Sequence, residues 1–178
     1  DKFMPLLEQS VKSFKCADPS LETTEMGPLI TSAHRDKVAS YVEESLVAFR
    51  GTAPTGAGFW FPPTVLHVTD RKHKSLTEEI FGPIAPIVRF KTEQEAIDLA
   101  NDTVYGLVSY AYTQDLKRGL RLVEQLDTGM TGLNTGLVSN AAAPFGGVKQ
   151  SGLGREGGLE GISEYLETKY VMIPDPNI

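Results

Sequence analysis

The stretch of this chain best suited to ligand chemistry is Glu78-Glu79-Ile80-Phe81-Gly82-Pro83. Gly admits unusual backbone angles and Pro fixes its own φ, so the sequence predicts a sharp turn there. A carboxylate on a rigid turn can accept hydrogen bonds from two neighbouring sugar hydroxyls, and an aromatic face can cover an adjacent ring. Glu79 and Phe81 occupy those positions, although a surface Glu pair and a core Phe beside a turn would read the same way. The loop from Ser139 to Gly147 is the second region of interest.

Other candidates are weaker. Gly152-Leu153-Gly154-Arg155-Glu156-Gly157 matches the dinucleotide fingerprint G-x-G-x-x-G. That motif works only between a strand and a helix within a βαβ unit, and Pro144 to Ser151 reads as loop. Cys16 has Lys12 and Lys15 nearby to lower its pKa, but Asp18 offsets them and no histidine pattern or capped helix start surrounds it. His34, His67 and His73 lack metal-ligand spacing, so no metal site is expected.

The elements that must position these loops follow from periodicity. Phe3, Leu6, Leu7, Val11 and Phe14 lie near helical spacing, and Thr31 or Ser32 can cap a second helix with Val38, Tyr41, Val42 and Ser45 on one face. Short strands are expected at Thr64–Val68, Ile84–Phe90, Leu107–Tyr112 and Met130–Asn134, with Pro86 marking an edge or bulge. Ser75 to Glu79 reads as a helical turn. Thr92-Glu93-Gln94-Glu95 is a capping box for a helix to about Asn101, and Leu116, Leu120 and Val123 mark a helix ended by Gly129. Strand, helix, strand, helix, strand with short links predicts an α/β fold, a mostly parallel sheet with flanking helices. A helix to about Leu166 and a closing strand, Thr168 to Ile173, complete the chain; that strand is free to pair with another subunit's edge.

Composition narrows the partners. A net charge of -6 argues against nucleic acid or an anionic membrane, and no apolar run is long enough to span a bilayer. A single cysteine excludes an internal disulfide and fits a reducing, cytoplasmic setting. The chain begins inside an amphipathic helix, which is expected of a piece of something longer.

Several segments together resemble the C-terminal part of the aldehyde dehydrogenase superfamily. They are Gly27-Pro28-Leu29-Ile30, Glu79 to Pro83, Asn101-Asp102-Thr103-Val104-Tyr105-Gly106-Leu107, Pro144 to Glu156, and Glu164 to Tyr170. They keep the family's order and cover almost the whole chain. Asn134-Thr135-Gly136-Leu137-Val138-Ser139-Asn140 and Lys149 to Glu156 are most similar to the succinate-semialdehyde dehydrogenase subgroup.

The resemblance implies a reaction in which a cysteine thiolate attacks an aldehyde, hydride passes to NAD or NADP, and water hydrolyses the thioester with help from a glutamate base. It implies that Glu79 holds the nicotinamide ribose hydroxyls and Phe81 packs beside the nicotinamide. Ser139 would bind the distal carboxylate of the substrate, and Asn134 would lie near the active-site floor. Residues 1–166 would be a partial catalytic domain, and residues 167–178 an oligomerisation strand and tail joining a homo-oligomer. The family's nucleophile, base, oxyanion-hole asparagine and cofactor domain have no counterpart here, so no catalytic residue is expected in this chain and the chain alone should be inactive. Two alternatives remain: an enzyme for another aldehyde, such as glutarate semialdehyde, or a non-catalytic assembly module.

Overall fold

A computed structural model describes residues 2–175. The chain divides into two compact units, Asp1–Arg89 and Phe90–Ile178.

In the first unit, helix α1 (Phe3–Ser13) is followed by α2 (Ser32–Ser40), a 3-10 turn at Glu44–Leu46, strands β1 (Val47–Arg50) and β2 (Thr64–His67), the short helix α3 (Lys74–Thr77) and strand β3 (Ile84–Ile87). Thr31, not Ser32, caps α2, its hydroxyl accepting from the His34 N–H at 3.0 Å. The helix stops at Ser40, so Tyr41 is its C-cap and Ser45 falls in the 3-10 turn rather than on the expected helical face. β2 lies between the other two strands, antiparallel to β1 and parallel to β3. Thr64, Val65 and Leu66 are buried in succession, as expected of a strand covered on both faces. Pro86 pairs opposite Leu66 on β3, an edge strand, where a missing donor is tolerated. Val38, Tyr41, Leu66, Val68 and Ile84 form the core that joins α2 to this sheet.

The second unit contains α4 (Glu93–Asn101), β4 (Tyr105–Gly106), β5 (Val108–Ala111), α5 (Leu116–Gln125), β6 (Met130–Leu133), β7 (Val148–Lys149) and a 3-10 helix at Glu160–Tyr165. The capping box forms on its Thr92 side, the Thr92 hydroxyl accepting from the Glu95 N–H at 3.1 Å. β5, α5 and β6 make a βαβ unit with a parallel pair in register from Val108↔Met130 to Ala111↔Leu133. α5 ends at Gln125, before the predicted Gly129 stop, and Asn101 receives the chain there: its amide donates to the Gln125 carbonyl at 2.7 Å and accepts from the Asp127 N–H at 2.8 Å.

The fold is α/β with mixed and parallel sheets and flanking helices. The single run of parallel strands expected from Ile84 to Asn134 is instead divided, because β3 pairs with β2 whereas β5 pairs with β6. The helix expected to reach Leu166 is the 3-10 segment, and Thr168 to Ile173 carries no strand. A strand exists only through a ladder, and no described strand pairs with that segment. Of the expected tail, residues 176–178 lie outside the described residues.

Candidate cofactor and substrate loops

The turn of the first unit is fastened from beneath by α2. Phe81 has φ 46°, in the left-handed region, which costs a bulky residue roughly 1–2 kcal/mol. Its carbonyl accepts from His34 Nε2 at 2.8 Å, which fixes the proton on that nitrogen because a carbonyl cannot donate. A Cβ on Gly82 would lie 2.6 Å from Val38 Cγ2, so only glycine lets the chain settle so closely on the helix. One turn further along, the Tyr41 hydroxyl donates to Glu78 Oε2 at 3.0 Å. Burial, and then the Glu78 carboxylate, push the Tyr41 pKa up, so the phenol remains a donor. The Glu78 N–H closes α3 on the Lys74 carbonyl at 2.9 Å, and the Ile84 N–H closes the turn on Gly82 at 2.8 Å.

This frame leaves Glu79 exposed and the Phe81 ring 74% exposed. An open carboxylate and an open aromatic face on a fixed backbone are the groups that a ribose diol and a planar heterocycle require, so these residues fit a nicotinamide nucleotide.

In the second unit, Asn134 also has a left-handed backbone, φ 55°, which Asn tolerates better than Phe. Its carbonyl accepts from the Thr113 N–H at 2.8 Å and its amide donates to the Thr113 carbonyl at 2.9 Å. The side chain thus extends the β5–β6 ladder by one rung and directs the following loop away from the strand. Ser139 is exposed at the end of that loop, in a cleft lined also by Asn140, Ala143, Phe145 and Glu156. A two-way backbone bridge between Phe145 and Glu156, at 2.7 and 2.9 Å, forms one wall.

The glycines of the rich segment are packing points. A Cβ on Gly129 would lie 2.1 Å from the Gly146 carbonyl oxygen, and one on Gly146 would lie 2.4 Å from that of Gly154. Arg155 donates to the carbonyls of Gly147 and Gly154, both at 2.7 Å. The G-x-G-x-x-G match has no strand–helix context: β7 before it is a two-residue antiparallel strand, and a 3-10 helix follows. Burial pushes the Cys16 pKa up, which disfavours a thiolate. Among the described residues no group of three His, Cys, Asp or Glu can hold a metal ion. Glu79 and Phe81 therefore share one turn, and Asn134 and Ser139 share one loop. His34, Tyr41 and Arg155 were not anticipated; for the first two the available signal was their spacing around Val38 on a Thr-capped helix.

Residues 1–171 match the Aldehyde dehydrogenase family. A succinate-semialdehyde dehydrogenase of Paenarthrobacter nicotinovorans is 52% identical over 158 residues, 86% of this chain and 35% of that protein. A glutarate-semialdehyde dehydrogenase of Pseudomonas putida is 43% identical over 97% of this chain and 37% of its own length. The crystal structure of a betaine aldehyde dehydrogenase from Staphylococcus aureus in complex with NAD+ superposes with a TM-score of 0.86 at 40% identity, covering 95% of this chain and 35% of that one. The chain thus spans roughly a third of the length of these relatives. With the match extending over residues 1–171, the chain belongs to the aldehyde dehydrogenase family.

Proposed function

We propose that this chain is the cofactor-gripping and substrate-gripping part of an NAD(P)-dependent dehydrogenase that oxidises succinate semialdehyde to succinate. The observation that carries the reading is the Glu79–Phe81 turn, where a strained backbone is held so that a carboxylate and a ring stay open to a ligand. Glu79 accepts from the ribose hydroxyls and Phe81 covers the nicotinamide edge, which fixes the ring against the reacting carbon. When bound, the nicotinamide supplies the hydride acceptor. Ser139 donates one hydrogen bond to the distal carboxylate of the substrate without adding charge, and Asn134 sets the loop that carries it. The nucleophilic cysteine and the glutamate base come from outside these residues, so the chain by itself turns over no aldehyde. Thr168 to Ile173 finds its ladder on a second copy, giving a homo-oligomer, and the setting is cytoplasmic. No helix among the described residues is long and apolar enough to cross a membrane.

The 43% identity to a glutarate-semialdehyde dehydrogenase supports a second reading, in which the substrate is one methylene longer. Steady-state kinetics of the full-length enzyme carrying this stretch separate the two. The proposal expects kcat/KM to favour succinate semialdehyde over both glutarate semialdehyde and an uncharged aldehyde of similar length. Ser139→Ala should raise KM for the charged substrate about ten- to a hundredfold, the loss of one hydrogen bond to a charged group, and leave the uncharged one unaffected. Equal rates on charged and uncharged aldehydes would refute the assignment.

A further inference from the structure

We propose that His34 is a positioning residue for cofactor binding, acting through the Phe81 carbonyl. The inference rests on the reading that Glu79 and Phe81 hold the nicotinamide nucleotide. Phe81 stands in a conformation that its side chain disfavours, and such a backbone persists only where its surroundings over-determine it. Its neighbours on the chain are already committed: the Gly82 carbonyl accepts from the Ile84 N–H at 2.8 Å, and the Pro83 carbonyl accepts from the Thr64 N–H at 2.8 Å. The Phe81 carbonyl is the acceptor just before these two, and His34 Nε2 meets it at 2.8 Å. Without that donor the 81–82 peptide is free to rotate towards a favoured φ, and the Phe81 ring and the Glu79 carboxylate two residues before it lose their setting.

The helix is arranged for this task. His34, Val38 and Tyr41 are spaced i, i+4 and i+7, so one face of α2 and its C-cap deliver a donor to residue 81, a close contact to Gly82 and a donor to Glu78. Two of these contacts hold the ends of the turn. The His34 bond alone holds the strained residue.

The test uses the full-length enzyme with the variants His34→Ala, His34→Gln and Glu79→Gln, read by the dissociation constant for NAD(P)+ and by KM for cofactor and aldehyde separately. Glutamine places an amide N–H where Nε2 stands and restores the donor. The expected result is cofactor binding about three- to tenfold weaker in His34→Ala, the loss of one hydrogen bond, with KM for the aldehyde unmoved and recovery in His34→Gln. Weakened binding in Glu79→Gln with normal binding in His34→Ala would overturn the role of His34 and leave the function of the turn standing. Normal binding in Glu79→Gln would overturn both. A loss in His34→Ala that appears equally in melting temperature and in both KM values, and that His34→Gln does not repair, would show a packing role only and also overturn the proposal.

Discussion

Single side chains here do work that their types do not announce. Asn134 is the clearest case, because a residue expected near a substrate spends both polar atoms of its amide on the Thr113 backbone. Replacing it with Ala removes two hydrogen bonds and leaves Ala in a left-handed conformation. We expect Asn134→Ala to destabilise the protein by about 2–4 kcal/mol in urea unfolding, from about 0.5–1 kcal/mol for each bond and a further 1–2 for the backbone. Asn134→Gly, which keeps the conformation, should lose less. Glu93 offers a test of pH dependence. Hydrogen bonds from Arg121 and then Arg118 hold its pKa down to about 2, against an ordinary value of 4.5. A depressed carboxylate contributes stability that is present in full above its unfolded pKa and is lost as pH falls through the folded one. The stability gap between the wild type and Glu93→Gln should therefore hold from pH 7 to about 5 and close between pH 4.5 and about 2. A gap independent of pH across that window would show that the pair is structurally idle.

The helices show how far a sequence discloses its own elements. Thr92 caps the helix it was expected to cap, and Thr31, one of two candidates, caps the other, because a short hydroxyl followed by a helical pattern is a local signal. β1 was not anticipated, since Val47-Ala48-Phe49-Arg50 is brief and its ladder to β2 shifts register between Val47 and Phe49. The β4–β7 pair joins residues 105–106 to 148–149, and no local pattern reports a partner forty residues away. The turn at residues 78–83 was legible from Gly82-Pro83, but the left-handed Phe81 was not, because its carbonyl is held by α2. That dependence on a neighbouring element has a measurable consequence at Gly82. Its missing Cβ is what lets the turn rest on Val38, so Gly82→Ala should cost roughly 1–3 kcal/mol by overpacking. Adding Val38→Ala, itself destabilising, should recover part of the Gly82→Ala loss, giving a favourable coupling in a double-mutant cycle. Strict additivity would mean that the turn avoids Val38 by moving elsewhere.

At the scale of the whole chain, many large apolar side chains stand exposed. Leu116, Leu120 and Val123 line an open face of α5, and Leu159, Ile162, Tyr165, Tyr170 and Ile173 are each at least 60% exposed. Among the described residues of the second unit only Ile97 and Ala111 are buried hydrophobics, so its elements are held more by backbone ladders and glycine contacts than by a core of their own. Apolar surface on this scale drives association in water, since contiguous patches beyond a few hundred Å² are rare on soluble monomers. We therefore expect the 178-residue chain, expressed alone, to bind a hydrophobic dye and to elute with light-scattering masses above 19.4 kDa. Charged substitutions at Leu120 and Val123 should lower both the dye signal and the mass. A dye-silent monomer of 19.4 kDa would mean that these faces close on each other in solution. In that case the expectation that this surface drives association would be wrong.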